Sequence, residues 1–85
     1  MKVLIPTPLL SYTERRDVEA SGTTLAAVLA DLDRRYPGIR FRVVDEQDRM
    51  RPHIRVFVNR AQVFEPSRPL DPDDELPIVQ ALSGG

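Results

Sequence analysis

Leu25, Val28, Leu29, Leu32 and Tyr36 fall at i, i+3, i+4, i+7 and i+11, a spacing that lines five apolar side chains along one stripe of an α-helix and that no alternating strand satisfies. Ala26, Ala27 and Ala30 favour the same conformation by propensity. Arg34 and Arg35 suit the negative end of its dipole, and Pro37-Gly38 stops it. After the break at Ser21-Gly22, Thr23 is placed to cap the first turn. A helix with a single apolar stripe must lay that stripe on another layer, so the remaining segments have to supply a sheet.

They do so on both sides of the helix. Residues 2–5 form a short aliphatic run that stops at Pro6-Thr7-Pro8, because proline cannot donate to a ladder. Beyond residues 9–13, Glu14-Arg15-Arg16-Asp17 reads as a turn. Val18 and Ala20 then alternate with Asp17, Glu19 and Ser21 as a half-exposed second strand, antiparallel to the first. Ile39, Phe41 and Val43 alternate with Arg40 and Arg42, which predicts a short extended stretch before a polar turn over residues 45–49. Ile54, Val56 and Val58 alternate with Arg55 and Phe57 as a stronger strand, and Asn59-Arg60 is a tight turn into residues 61–64. Pro66, Pro69 and Pro72 hold a loop open. The acidic Asp71-Pro72-Asp73-Asp74-Glu75 leads into a last strand over residues 76–82, with regular pairing expected from Ile78 because Pro77 belongs at a strand start, an edge or a bulge. The order predicts an α+β fold: a mixed sheet of four to five strands with one main helix across one face.

Eighty-five residues allow one domain, 1–85, near the size at which a single core suffices. The absence of cysteine excludes disulfides, a cysteine nucleophile and a Cys-type zinc site, and fits a cytoplasmic protein. Pro6 and Pro8 break the apolar start far short of a signal core, and no run is long enough to span a bilayer, so no membrane association is expected. With 12 basic and 13 acidic residues the net charge is −1, which gives no overall case for nucleic acid. The distribution is uneven. Residues 1–33 carry −2, residues 34–60 carry eight basic and three acidic groups for +5, and residues 61–85 carry −4. Arg40, Arg42, Arg49, Arg51 and Arg55 can form a basic face, though without the interleaved aromatics of a nucleic-acid stacking surface. His53 has no triad or metal-ligand spacing and reads as a plain loop residue, and Asp73, Asp74 and Glu75 read as a solvated turn and not a calcium loop. No catalytic residue and no metal ligand is expected.

Chemistry is expected instead at the end of the sequence, Ala81-Leu82-Ser83-Gly84-Gly85. Without Cβ atoms a Gly-Gly end passes through a slot too narrow for side chains. Four extended residues from Leu82 onward reach about 13 Å, so residues 82–85 can act as a projecting tail that offers its carboxylate to another protein. The alternative is an ordinary frayed terminus.

Taken in order, Val3-Leu4-Ile5-Pro6-Thr7, Gly22-Thr23-Thr24-Leu25, Val56-Phe57-Val58-Asn59, Asp73-Asp74-Glu75 and the terminal Gly84-Gly85 resemble the ubiquitin-like sulfur carriers over the whole length. These are the small subunit of molybdopterin synthase and the carriers of thiamine and cysteine biosynthesis; the Ile5-Pro6-Thr7 opening looks most like the cysteine type. The resemblance implies a β-grasp fold with the first and last strands parallel at the centre of the sheet. It also implies a role as protein co-substrate. An E1-like adenylating enzyme would use ATP to activate the Gly85 carboxylate, a sulfur source would convert it to a thiocarboxylate, and a sulfur-accepting enzyme of a cysteine, thiamine, molybdopterin or thiosugar pathway would take the sulfur. Gly85 would then carry the reacting group, while Leu82, Ser83 and Gly84 would be the partner-binding tail. No cofactor would be bound by the chain itself. The same carboxylate leaves open a ubiquitin-like protein modifier, and the small core and uneven charge leave open an interaction domain or enzyme subunit.

Overall fold

The computed structural model describes residues 1–81. Five strands, β1 (Lys2–Leu4), β2 (Asp17–Glu19), β3 (Ile54–Val58), β4 (Ala61–Val63) and β5 (Glu75–Gln80), form one sheet in the order β2-β1-β5-β3-β4. β1 and β5 run parallel, and every other neighbouring pair is antiparallel. Three helices of four residues or more follow in chain order: α1 (Leu10–Thr13), α2 (Leu25–Arg35) and α3 (Arg40–Val43). The α2 residues Leu25, Val28, Leu29 and Leu32 are buried in one cluster with Val3, Val56, Leu76 and Ile78 from the sheet. The helical stripe and the strand alternation therefore meet as expected, on one face.

Several boundaries depart from the sequence expectation. The connection after β1 is helical, with a 3-10 turn at Thr7–Leu9 leading into α1, and Leu9 and Thr13 are buried. Pro8 is compatible because the first helical turn needs no amide donor there. The cap of α2 is Thr24 and not Thr23: its hydroxyl accepts from Ala27 N at 3.2 Å. Leu25 N donates to Arg68 O at 3.0 Å and Ala26 N to Pro66 O at 2.8 Å, while Val28 N reaches Thr24 O. The four amides at the helix start are thus all satisfied, two of them by the proline-rich loop. Gly22 approaches this turn so closely that a Cβ there would lie 2.7 Å from Val28 N and 2.8 Å from Ala27 C.

The predicted extended stretch at Ile39, Phe41 and Val43 is instead the short helix α3. Asp33 at the end of α2 accepts from the amides of Gly38 at 3.0 Å and Arg40 at 3.1 Å, and so supplies acceptors for the incoming turn. Ile39 and Val43, four apart, are both fully buried, while Phe41 is 53% exposed; a strand would have placed all three on one face. The polar turn at 45–49 and the two-residue hairpin turn between β3 and β4 form as expected. Asn59 and Arg60 take φ of 52° and 69°, the left-handed geometry that such a turn demands.

Regular pairing of β5 begins at Glu75, ahead of the expected Ile78. Lys2, Val3 and Leu4 pair with Glu75, Leu76 and Pro77, and Ile54, Arg55 and Val56 pair with Gln80, Val79 and Ile78. Pro77 ends the pairing with β1 immediately before pairing with β3 starts, so its missing donor falls where the strand changes partners.

Asp31, which no sequence signal singled out, ties β2 to α2. Only 8% exposed, it accepts from Ser21 N at 2.9 Å, from Arg35 Nε at 2.9 Å and from the Arg34 guanidinium. The Arg34 hydrogen bond, then the Ser21 amide and Arg35, hold its carboxyl well below the usual carboxylate range. A depressed folded-state value contributes stability that is fully present above the unfolded value of about 3.9 and is lost as pH falls through the folded one. Asp31→Asn should therefore melt below the wild type at pH 7, and the gap in Tm should narrow as thermal scans move from about pH 4 downward. A gap independent of pH would show that the ionised form is not the stabilising one.

Candidate functional site

The central strand of the sheet, β5, delivers the chain end. Ala81 extends its ladder by one bond, donating its amide to His53 O at 2.7 Å. Leu82, Ser83, Gly84 and Gly85, the positions expected to carry the tail chemistry, lie outside the described residues. What the structure defines is the platform from which that end departs.

Two hollows flank the exit, and Pro8 and Gln80 line both. The first, about 540 Å³, is mainly apolar and includes Leu4, Pro6, Pro77 and Val79. Val79 stands on the outward face of β5, 46% exposed. The second, about 580 Å³, is cationic and aromatic, formed by Tyr12 of α1, Gly38, Phe41 and Arg42 around α3, and Arg51 and His53 ahead of β3. Arg42 Nε donates to Tyr12 Oη at 2.8 Å with its guanidinium carbon 5.9 Å from the ring centroid. Arg51 Nε donates to Phe41 O at 2.6 Å and lies 5.8 Å from the Phe41 centroid. Gly38 is needed here: its φ is +99°, and a Cβ would sit 3.1 Å from the Tyr12 ring.

The basic face expected from the sequence is thus divided, and it does contain aromatics. Arg40 pairs with Asp48, and Arg49 with Asp45 at 3.6 Å. Asp45 also accepts the amides of Arg49 and Gln47, which hold its carboxyl below the ordinary range. Among the described residues, Arg42, Arg51 and Arg55 have no carboxylate partner. Arg55 donates instead to Pro52 O at 2.6 Å. Sequence reasoning misses the Tyr12 and Phe41 contributions, since Tyr12 is 30 residues from Arg42 and the segment that forms α3 also satisfies the period of a strand.

His53 is exposed in the turn before β3, as expected of a loop residue, and among the described residues no group of three or more His, Asp or Glu could hold a metal ion. The acidic turn is closed on itself: Asp74 Oδ2 accepts from Asp71 N at 2.8 Å, and Asp74 N donates to Asp71 O at 3.0 Å. No helix among the described residues is long and apolar enough to cross a membrane.

Parallel first and last strands at the centre of a mixed sheet, with one long helix packed on it, define the β-grasp or ubiquitin-like class. Comparison with known proteins agrees. The crystal structure of the Amycolatopsis orientalis BexX/CysO complex contains a chain that superposes with a TM-score of 0.90 at 33% identity, covering 99% of this chain and 98% of that one. Mycobacterium tuberculosis CysO gives a TM-score of 0.89 at 31% identity over 95% of this chain and 98% of that one. In sequence, the sulfur carrier protein CysO of Mycobacterium tuberculosis is 35% identical over 89 residues, 98% of this chain and 96% of the relative. The ThiS family profile matches residues 3–85, and the chain belongs to that family.

Proposed function

We propose that the protein is a sulfur carrier of the cysteine-biosynthesis type, a protein substrate and not a catalyst. The observation that carries this is the full-length match to the sulfur carrier protein CysO, in a chain whose sequence ends on Gly84-Gly85 just beyond the central strand. A carboxylate is a poor electrophile. A separate adenylating enzyme would join the Gly85 carboxylate to AMP from ATP, releasing pyrophosphate. A sulfur nucleophile would then displace AMP from the mixed anhydride and leave a C-terminal thiocarboxylate. An acceptor enzyme would take that sulfur without free sulfide being released. The chain's own contribution is to present its end from a rigid strand, held to β1 on one side and β3 on the other.

Intact-mass measurement after incubation with the adenylating enzyme, ATP and a sulfur source should show one oxygen replaced by one sulfur. Fragmentation should place the change on Gly85. An unchanged mass with adenylating enzymes that charge related carriers would remove the reading.

A further inference from the structure

The cationic cleft beside the chain exit has no assigned role, and its chemistry specifies a ligand. Arg42 and Arg51 each spend Nε on a neutral acceptor, Tyr12 Oη and Phe41 O, and each lies over an aromatic ring. Among the described residues their terminal nitrogens make no hydrogen bond, so each guanidinium keeps its paired Nη groups, the edge that grips a carboxylate in two parallel bonds. The Nε hydrogen bonds and the cation–aromatic contacts with Tyr12 and Phe41 order these side chains in advance, which lowers the entropy lost when a ligand binds. Neither makes a salt bridge among the described residues, although Arg40 and Arg49 next to them do.

We infer that this cleft receives a short acidic segment, with Asp or Glu carboxylates, on the enzyme that adenylates the chain end. The inference rests on the proposed carrier function. Position supports it, because the Ala81 to His53 bond fixes the exit at the cleft rim, and an enzyme enclosing the tail covers that rim. Charge selects the kind of partner. At the cleft Arg42 and Arg51 have no carboxylate partner among the described residues, while Arg40 and Arg49 next to them are paired with Asp48 and Asp45, so the available positive charge suits a short acidic segment and does not extend into a track for a long polyanion.

The test is the ATP–pyrophosphate exchange catalysed by the adenylating enzyme of the same genome, with the full chain as substrate. Arg42→Glu/Arg51→Glu should raise KM for the chain about tenfold with kcat within about twofold, because opposed charges at an interface act mainly on encounter and affinity. The wild-type KM should rise with NaCl, and that dependence should flatten in the double variant. Arg68→Glu, an exposed charge in the loop at the other end of α2, should leave both parameters unchanged. If the reversed pair fails to fold, Arg42→Gln/Arg51→Gln should still raise KM about threefold. A KM unchanged in folded variants, or raised equally by Arg68→Glu, overturns the cleft assignment while wild-type exchange leaves the carrier reading standing. A lowered KM overturns it too, because carboxylates placed at the cleft would then favour the enzyme where arginines should. No exchange with the wild type removes both readings together.

Discussion

Deleting Gly85 is expected to abolish activation of the chain while leaving its thermal unfolding almost unchanged. Every buried apolar residue of the core falls between Val3 and Ile78, so nothing in the described core depends on the last residue. Changes outside such features usually shift stability by no more than about 0.5 kcal/mol. The effect on chemistry is of another order, since removing one residue draws the carboxylate back by about 3.3 Å. An enzyme that aligns the carboxylate with the α-phosphate of ATP cannot make up that distance. Gly84→Val should fail for a different reason: a branched Cβ obstructs a narrow passage and restricts the backbone. ATP–pyrophosphate exchange, sulfur transfer and thermal melts on both variants decide the matter. Folded variants that exchange and transfer sulfur like the wild type would show the two glycines to be ornamental.

Leu29→Ala should do the reverse. Leu29 is 1% exposed on α2 and packed among Val3, Val56 and Leu76 in the single core cluster. Truncating a buried leucine costs about 2–5 kcal/mol through lost transfer energy and the cavity left behind. Small domains have only about 5–15 kcal/mol in total, and each kcal/mol moves Tm by about 4–8 °C at this size. At a temperature where the variant is still folded, its kcat in the exchange assay should match the wild type. A melt within a few degrees of the wild type would mean that α2 is not the wall of the core.

What the sequence revealed follows from how far each signal reaches. The helical stripe spans 12 residues, three turns, and only one period satisfies it. Five residues at 39–43 satisfy two periods at once, because Ile39 and Val43 are buried at helical spacing and also fall on alternate positions. The Asp33 carboxylate that caps the next turn decides between them, and that contact exists only in three dimensions. The helix cap is Thr24 and not Thr23 for a similar reason, since the carbonyls of Pro66 and Arg68 that complete it arrive from 40 and 43 residues beyond the amides they accept from. The expectation for the tail rests on a terminal carboxylate behind two residues without side chains, and it falls on residues 82–85, outside the described residues. The cleft does not show in the sequence, because its aromatic and cationic members come from separate segments and two of the five arginines of the basic face are neutralised by pairing.

The parallel pairing of β1 with β5 also sets an order of events during synthesis. Lys2 and Glu75 are partners 73 positions apart, so the first strand to leave the ribosome waits for the last one. Until residues 75–80 emerge, β1–β2 and β3–β4 are two hairpins with no strand between them, and neither offers α2 a complete surface. Closing the sheet and positioning the root of the tail are then a single step. A chain interrupted before Glu75 therefore lacks the central strand together with every residue that follows it, and its two hairpins have nothing to join them.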